Sequence, residues 1–300
     1  MSKTTIYIVL IIALLGANLF LILNDGSQSS SLDKSYLEAY ASQEITEIRF
    51  TNNQQQEVAL VKSEGAWRLN EKYSADENFI NTLLSILPRI EVVRDVGEWE
   101  GELLGEIELY FGENGGLQFQ FASNLTKTKS YFINDGAAQE VVVPGYRDNV
   151  VDVFTLHPDQ WRNRMVFDGS WRSIQKLTIE NSNLEPVEIK FDDQFFMING
   201  NAPQDSSAVV DYLNQFQYFE ANEMISKGRF PRFDSLLSTD PMAVLMIEDI
   251  KSEDEISFQI YPSLRGQAYH LVTKGEKMMV IDARRVQRLL ATSQDFLGSN

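Results

Sequence analysis

The chain has 300 residues, 43% hydrophobic and 23% charged, enough apolar matter for one large domain or two medium ones. With 43 acidic against 26 basic residues and a formal net charge of −17, it lacks the basic footprint that nucleic acid or an anionic lipid surface demands. It has no cysteine. Disulfides, thiolate catalysis and cysteine-ligated metals are thereby excluded, and a bacterial envelope is a better setting than a disulfide-bearing secreted domain.

In chain order, "TIYIVLIIALLGANLFLIL" (residues 5–23) comes first. It carries no charge and is long enough to cross a ~30 Å hydrocarbon core as a helix. Lys3 before it and Asp25 after it favour an N-terminus inside the cell. A cleaved signal peptide is the rival reading. Such a peptide has an apolar region of ~7–15 residues that ends in small residues, whereas this run ends "LFLILND". Residues 1–23 are therefore expected to be an uncleaved membrane anchor.

The Ser-rich "NDGSQSSS" opens a linker over 24–43, and "LDKSYLEAYASQ" within it reads as a short helix. Three strands are expected next: "ITEIRFT" (45–51), "EVALV" (57–61) and "AWRLN" (66–70). Ser74 and Glu77 have the spacing of a capping box. Phe79, Ile80, Leu83, Leu84 and Leu87 then form the apolar stripe of an amphipathic helix, which Pro88 ends or kinks.

The chain next repeats its own pattern. Slid along itself until Ile45 falls on Ile174, it places Ile48 on Leu177, Phe50 on Ile179, Val58 on Val187 and Leu60 on Ile189. In the same register Trp67 meets Phe196, Leu69 meets Ile198 and Leu84 meets Leu213. Further on, "EVVVPGYRDNVVDVF" parallels "KMMVIDARRVQRLL". Shared core positions through three strands and a helix point to two homologous halves, 44–168 and 169–300. Strands grouped ahead of each helix imply antiparallel α+β sheets. The expected fold is thus α+β: an N-terminal transmembrane helix followed by two tandem repeated halves of antiparallel sheet plus helices.

Chemistry is sparse. No G-x-G-x-x-G, G-x-S-x-G, Walker-type loop or calcium loop appears. His270 aligns with Phe132 of the first half, which marks it as a structural strand position. His157, with Asp152 and Asp159 nearby in sequence, has the makings of a base held by a carboxylate; an exposed turn begun by Pro158 is the plainer account. "VPGYRDN" (143–149) has a second-half counterpart, "VIDARRV", that lacks the Pro-Gly, which suits a local task for Tyr146 and Arg147; a turn geometry supplied by Gly145 ahead of a helix is the plainer account. "WRNRMVFDGSW" concentrates Trp161, Arg162, Arg164 and Trp171, residue types enriched at binding hot spots. A packing clamp with snorkelling arginines accounts for the same residues. The candidate partner-binding set is Tyr146, Arg147, Trp161 and Arg164, with no catalytic residue, metal or cofactor assigned.

Taken together, "ITEIRF", "EGAWRLN", "LPRIEVVRDV", "VVVPGYRDNVVDVF" and "WRNRMVFDGSWRSIQKLTIE" behind an apolar N-terminus resemble the domain-of-unknown-function family numbered 4340. Members are often encoded beside gliding-motility-type ABC exporter components. The resemblance implies an envelope location and a transport-linked partner, and no reaction. The expectation is a single-pass protein of the bacterial inner membrane with its globular part in the periplasm. It would act as a binding or scaffold subunit of an envelope complex or ABC-type exporter, with no enzymatic activity and no nucleic-acid partner. An envelope hydrolase using a carboxylate pair and a small-ligand or lipid carrier are the alternatives.

Overall fold

Buried and solvent-facing side chains alternate along β1 (Glu47–Asn52): Ile48 and Phe50 are buried while Arg49 is exposed. β2 (Glu57–Ser63) continues the pattern with Val58 and Leu60, and β3 (Ala66–Leu69) with Trp67 and Leu69. The structure is a computed structural model that describes residues 44–298 apart from 98, 113–114, 135 and 147–148. The expected anchor and linker lie outside the described residues.

By the density of their contacts the described residues fall into two units. The first holds residues 44–72 and Glu77–Leu156, the second Tyr73–Asp76 and the chain from His157 onward. β4 (Tyr73–Ser74) therefore belongs to the second unit although it precedes helix α1 (Glu77–Ile86).

In the first unit α1 runs into a 3-10 turn at Leu87–Arg89 and then β5 (Glu91–Val96). β6 (Glu102–Tyr110), β7 (Gly116–Ser123), β8 (Ser130–Asn134) and β9 (Ala137–Val142) complete its sheet. The strands lie in the order β3-β2-β1-β6-β7-β8-β9-β5 and pair antiparallel. β6 bulges at Gly105, whose φ is +156° and where a Cβ would lie 2.0 Å from the Thr51 carbonyl oxygen. No other residue fits that approach. After β9 the chain forms a 3-10 turn at Val150–Thr155. It sets Phe154 against the rings of Phe50 and Phe121, at 5.6 and 5.3 Å between centroids.

After β4, the second unit continues with a 3-10 turn at Pro158–Trp161 and β10 (Met165–Phe167). β11 (Ile174–Asn181), β12 (Val187–Asp192) and β13 (Phe195–Ile198) lead to α2 (Ser206–Asn214). β14 (Phe219–Glu220), β15 (Glu223–Ile225) and the short α3 (Pro231–Asp234) follow. β16 (Ala243–Asp249), β17 (Ile256–Ile260), β18 (Tyr269–Lys274) and β19 (Lys277–Asp282) then lead to α4 (Ala283–Leu289) and α5 (Gln294–Leu297). Here the sheet order is β13-β12-β11-β16-β17-β18-β19-β15, again antiparallel, and β10 pairs separately with β14. One core gathers sheet residues such as Leu177, Leu245 and Phe258 with Val209 and Leu213 of α2. The buried Tyr212 hydroxyl donates to the Leu289 carbonyl at 2.6 Å, a bond that ties α2 to the end of α4.

Two local devices recur. Asn70 and Asn199 both sit in the left-handed region, at φ +48° and +47°. Asn70 Oδ1 accepts the Ala59 N–H at 2.7 Å and its Nδ2 donates to the Glu57 carbonyl at 3.2 Å. Asn199 does the same with the Glu188 N–H at 2.7 Å and the Pro186 carbonyl at 3.3 Å. Each asparagine so ties the third strand's end to the second strand; its short amide tolerates positive φ while it hydrogen-bonds locally. The expected capping box does not form. Glu77 is the first residue of α1 and Ser74 lies in β4, so the pair is out of phase with the helix start. At α2 the cap is Asp205, whose carboxylate accepts the Ser207 N–H at 2.8 Å.

Candidate functional site

"VPGYRDN" folds as its residues demand. Pro144 and Gly145 occupy the centre of a turn closed by the Tyr146 N–H on the Val143 carbonyl at 2.9 Å. Gly145 has φ +83°, the conformation that a Pro-Gly turn of type II requires at its second central position. Downstream, Asn149 is tied into the sheet. Its Nδ2 donates to Ser123 Oγ and Asp152 Oδ1, both at 3.0 Å, and its Oδ1 accepts from Ser130 Oγ. Ser123 and Ser130 are buried. Tyr146, whose N–H closes the Pro-Gly turn, is 58% exposed. Arg147 lies outside the described residues.

Tyr146 is at the lip of an apolar groove of about 200 Å³ within the first unit. Phe79, Leu83 and Ile86 of α1 form one wall, and Val150 and Val153 of the 3-10 turn the other. Thr82 and Asn149 add polar edges. Small-molecule sites usually enclose ~300–1,000 Å³; this groove is smaller and suits one or two apolar side chains. Sequence reasoning found α1's stripe and Tyr146. It missed the opposite wall, although Val150 and Val153 stand at the i, i+3 spacing of one helical face.

A second concavity of about 550 Å³ lies on the outer face of the same sheet. Glu47, Glu57, Glu106 and Glu108 line it together with Arg49, which is ion-paired to Glu47. It is larger but is a charged, open strand surface. The groove has the concave apolar character of a recognition site, so the groove is the better candidate. Among the described residues no three His, Asp or Glu side chains are placed to hold a metal ion.

The other predicted residues fall in the second unit. Trp161 is fully buried, so its indole presents no surface to a partner and the hot-spot reading fails there. Its carbonyl accepts the Asp76 N–H at 2.8 Å. Arg164 is half-exposed and lies 3.6 Å from the Asp76 carboxylate. Trp171 is 37% exposed with Arg172 over its ring at 5.4 Å. The structure thus divides the predicted set: Tyr146 belongs to one unit, Trp161 and Arg164 to the other.

Beside Trp161 is a polar hub centred on Asp159, which is 2% exposed. Asp159 Oδ1 accepts from Arg162 Nη1 at 3.1 Å and Ser226 Oγ at 2.6 Å. Its Oδ2 accepts from the Ser226 N–H at 2.8 Å and Arg229 Nη1 at 3.4 Å. Arg229 also pairs with Glu223 at 2.7 Å, and the Arg162 guanidinium covers the Tyr73 ring at 4.0 Å. His157 Nδ1 accepts the Asp159 N–H at 3.1 Å. That orientation is the reverse of a catalytic dyad, in which Nδ1–H donates to the carboxylate. Asp152 lies in the first unit, where Asn149 donates to it. His157 is therefore a turn cap in this arrangement. His270 is buried in β18, its Nδ1 2.8 Å from the Tyr261 carbonyl oxygen, as a strand histidine with a backbone partner.

No family model, no curated protein and no solved structure matches this chain.

Proposed function

We propose that the chain is a membrane-anchored extracytoplasmic binding protein made of two copies of one α+β repeat. Its first unit takes up apolar side chains of an envelope protein partner in the groove beside Tyr146. The observation that carries this reading is the groove itself: apolar walls, about 200 Å³, and an exposed tyrosine at its lip whose backbone closes a Pro-Gly turn. A rigid aromatic next to an apolar slot supplies contact area at small entropic cost. The groove's size favours side chains over a lipid or cofactor. The uncharged residues 5–23 support a membrane anchor, and the resemblance to family 4340 supports an ABC-type exporter as the partner assembly.

Three features support the repeat. The pairing order is the same in the two sheets once β4, β10 and β14 are set aside. The Asn70 and Asn199 clamps bind equivalent backbone groups. Trp67 and Phe196, equivalent in the register, are both buried.

The test is co-purification from gently solubilised membranes, with the partner identified by mass spectrometry. A Tyr146→Ala/Val153→Glu variant should lose the exporter's membrane subunits. Leu184→Ala, at a 51%-exposed loop residue of the second unit, should retain them. Equal recovery of those subunits by both variants, or their absence from the wild-type preparation, would overturn the proposal.

A further inference from the structure

The chain passes from the first unit into the second between Leu156 and His157. The residue at which the chain returns to the second unit is thus of the type that changes charge near neutral pH. His157 holds the opening turn by two reciprocal bonds: its Nδ1 accepts the Asp159 N–H, and its own N–H donates to Gln160 Oε1 at 2.9 Å. The lone pair that makes the cap is one that an added proton would occupy.

Three charged groups face that imidazole. Asp159, from the same turn, has Oδ2 3.4 Å from Nδ1. Arg229 stands in the loop after β15, and Glu223 in β15 itself. The Asp159 carboxylate already receives Arg162, Arg229 and both donors of Ser226. A carboxylate offers about four acceptor sites, so it has no vacant one for an Nδ1–H. Protonation would therefore break the cap without a matching bond in return, beside the positive charge of Arg229.

We propose that His157 is an acid-sensitive latch on the Pro158–Trp161 turn of the second unit. Neutral, it closes that turn; protonated, it releases the turn and exposes residues 157–162. Burial first, and then the Arg229 guanidinium, hold the His157 pKa below the ordinary histidine value of 6.5, against the opposing pull of Asp159 and Glu223. The sign follows. The unfolded chain takes up the proton first as pH falls, so the latch contributes its full stability above about 6.5 and loses it on acidification toward the lowered folded pKa.

The full chain in detergent is suited to the test, because His157 and His270 are its two histidines. NMR titration should place the His157 midpoint below that of a model histidine. Hydrogen–deuterium exchange of residues 157–162, corrected for intrinsic pH dependence, should lose protection at least tenfold between pH 7.5 and 5. His157→Asn keeps a good cap without a titratable group, so its protection should stay level. A His157 midpoint at or above the ordinary value, unchanged wild-type protection, or an equal loss in His157→Asn would each overturn the latch.

Discussion

Tyr146 and Trp161 have the same surroundings in the sequence, an aromatic beside arginine, and opposite fates in the fold. Tyr146 is 58% exposed, and it closes its turn through its backbone N–H rather than its ring. Trp161 has no exposed surface and sits at the end of the turn that positions Asp159. Truncating a large buried aromatic costs ~3–5 kcal/mol, whereas exposed substitutions usually stay within about ±0.5 kcal/mol. Urea denaturation of Trp161→Ala should therefore show a loss of about 3–5 kcal/mol in the transition of the second unit. Tyr146→Ala should leave the curve unmoved. A large loss in Tyr146→Ala would mean that its ring packs the turn, and the groove would lose its free lip. Asp159 shows how far a residue's role can rest on distant partners. Ser226 and Arg229 complete its shell from far along the chain, and no spacing near "HPDQWRNR" announces them.

At the scale of elements, the third strand of each sheet is ended by an asparagine rather than by a glycine turn alone. The positive φ of Asn70 and Asn199 would strain alanine by about 1–2 kcal/mol, and each side chain also satisfies two backbone groups of the second strand. Asn70→Ala and Asn199→Ala should each destabilise by about 1–3 kcal/mol. The two share no partner, so the double variant should lose the sum. Glycine at either site should recover the backbone part and leave the hydrogen-bond part missing. Equal stability of the alanine and glycine variants in thermal unfolding would show that backbone strain plays no role. Helix α1 illustrates the other face of element-level reasoning. Its apolar stripe was legible because a period near 3.6 survives whatever packs on it. Its start was not, because Ser74 is used in β4, where its carbonyl accepts the Asn163 N–H at 2.9 Å.

For the molecule as a whole, the proposed anchor would decide where the proposed binding takes place. If residues 5–23 stay in the mature protein, the chain should remain in membranes after an alkaline wash, and N-terminal sequencing should start at Met1 or Ser2. Release by the wash, with a mature end near Asn24, would replace the anchor with a cleaved signal. The acidity points the same way as the proposal. A formal charge of −17 disfavours contact with anionic headgroups, and the proposal accordingly assigns recognition to the apolar groove.

Sequence alone determined the sheet-rich α+β class and, in each unit, a run of three strands leading into a helix, β1–β3 before α1 and β11–β13 before α2. These follow from periods of two and 3.6, which the backbone imposes on any buried face. The Pro-Gly turn at Tyr146 was legible for the same reason: φ preferences are local. Tertiary structure decided what depends on pairs distant in the chain. It gave Tyr73–Asp76 to the second unit, through the Asp76 bond to Trp161 and the Asn163 bond to Ser74. It buried Trp161, opened the groove between α1 and the Val150–Thr155 turn, and filled the Asp159 shell from Ser226 and Arg229. Burial and hydrogen-bond satisfaction are properties of what surrounds a residue, and the chain brings those surroundings together only when the sheets close.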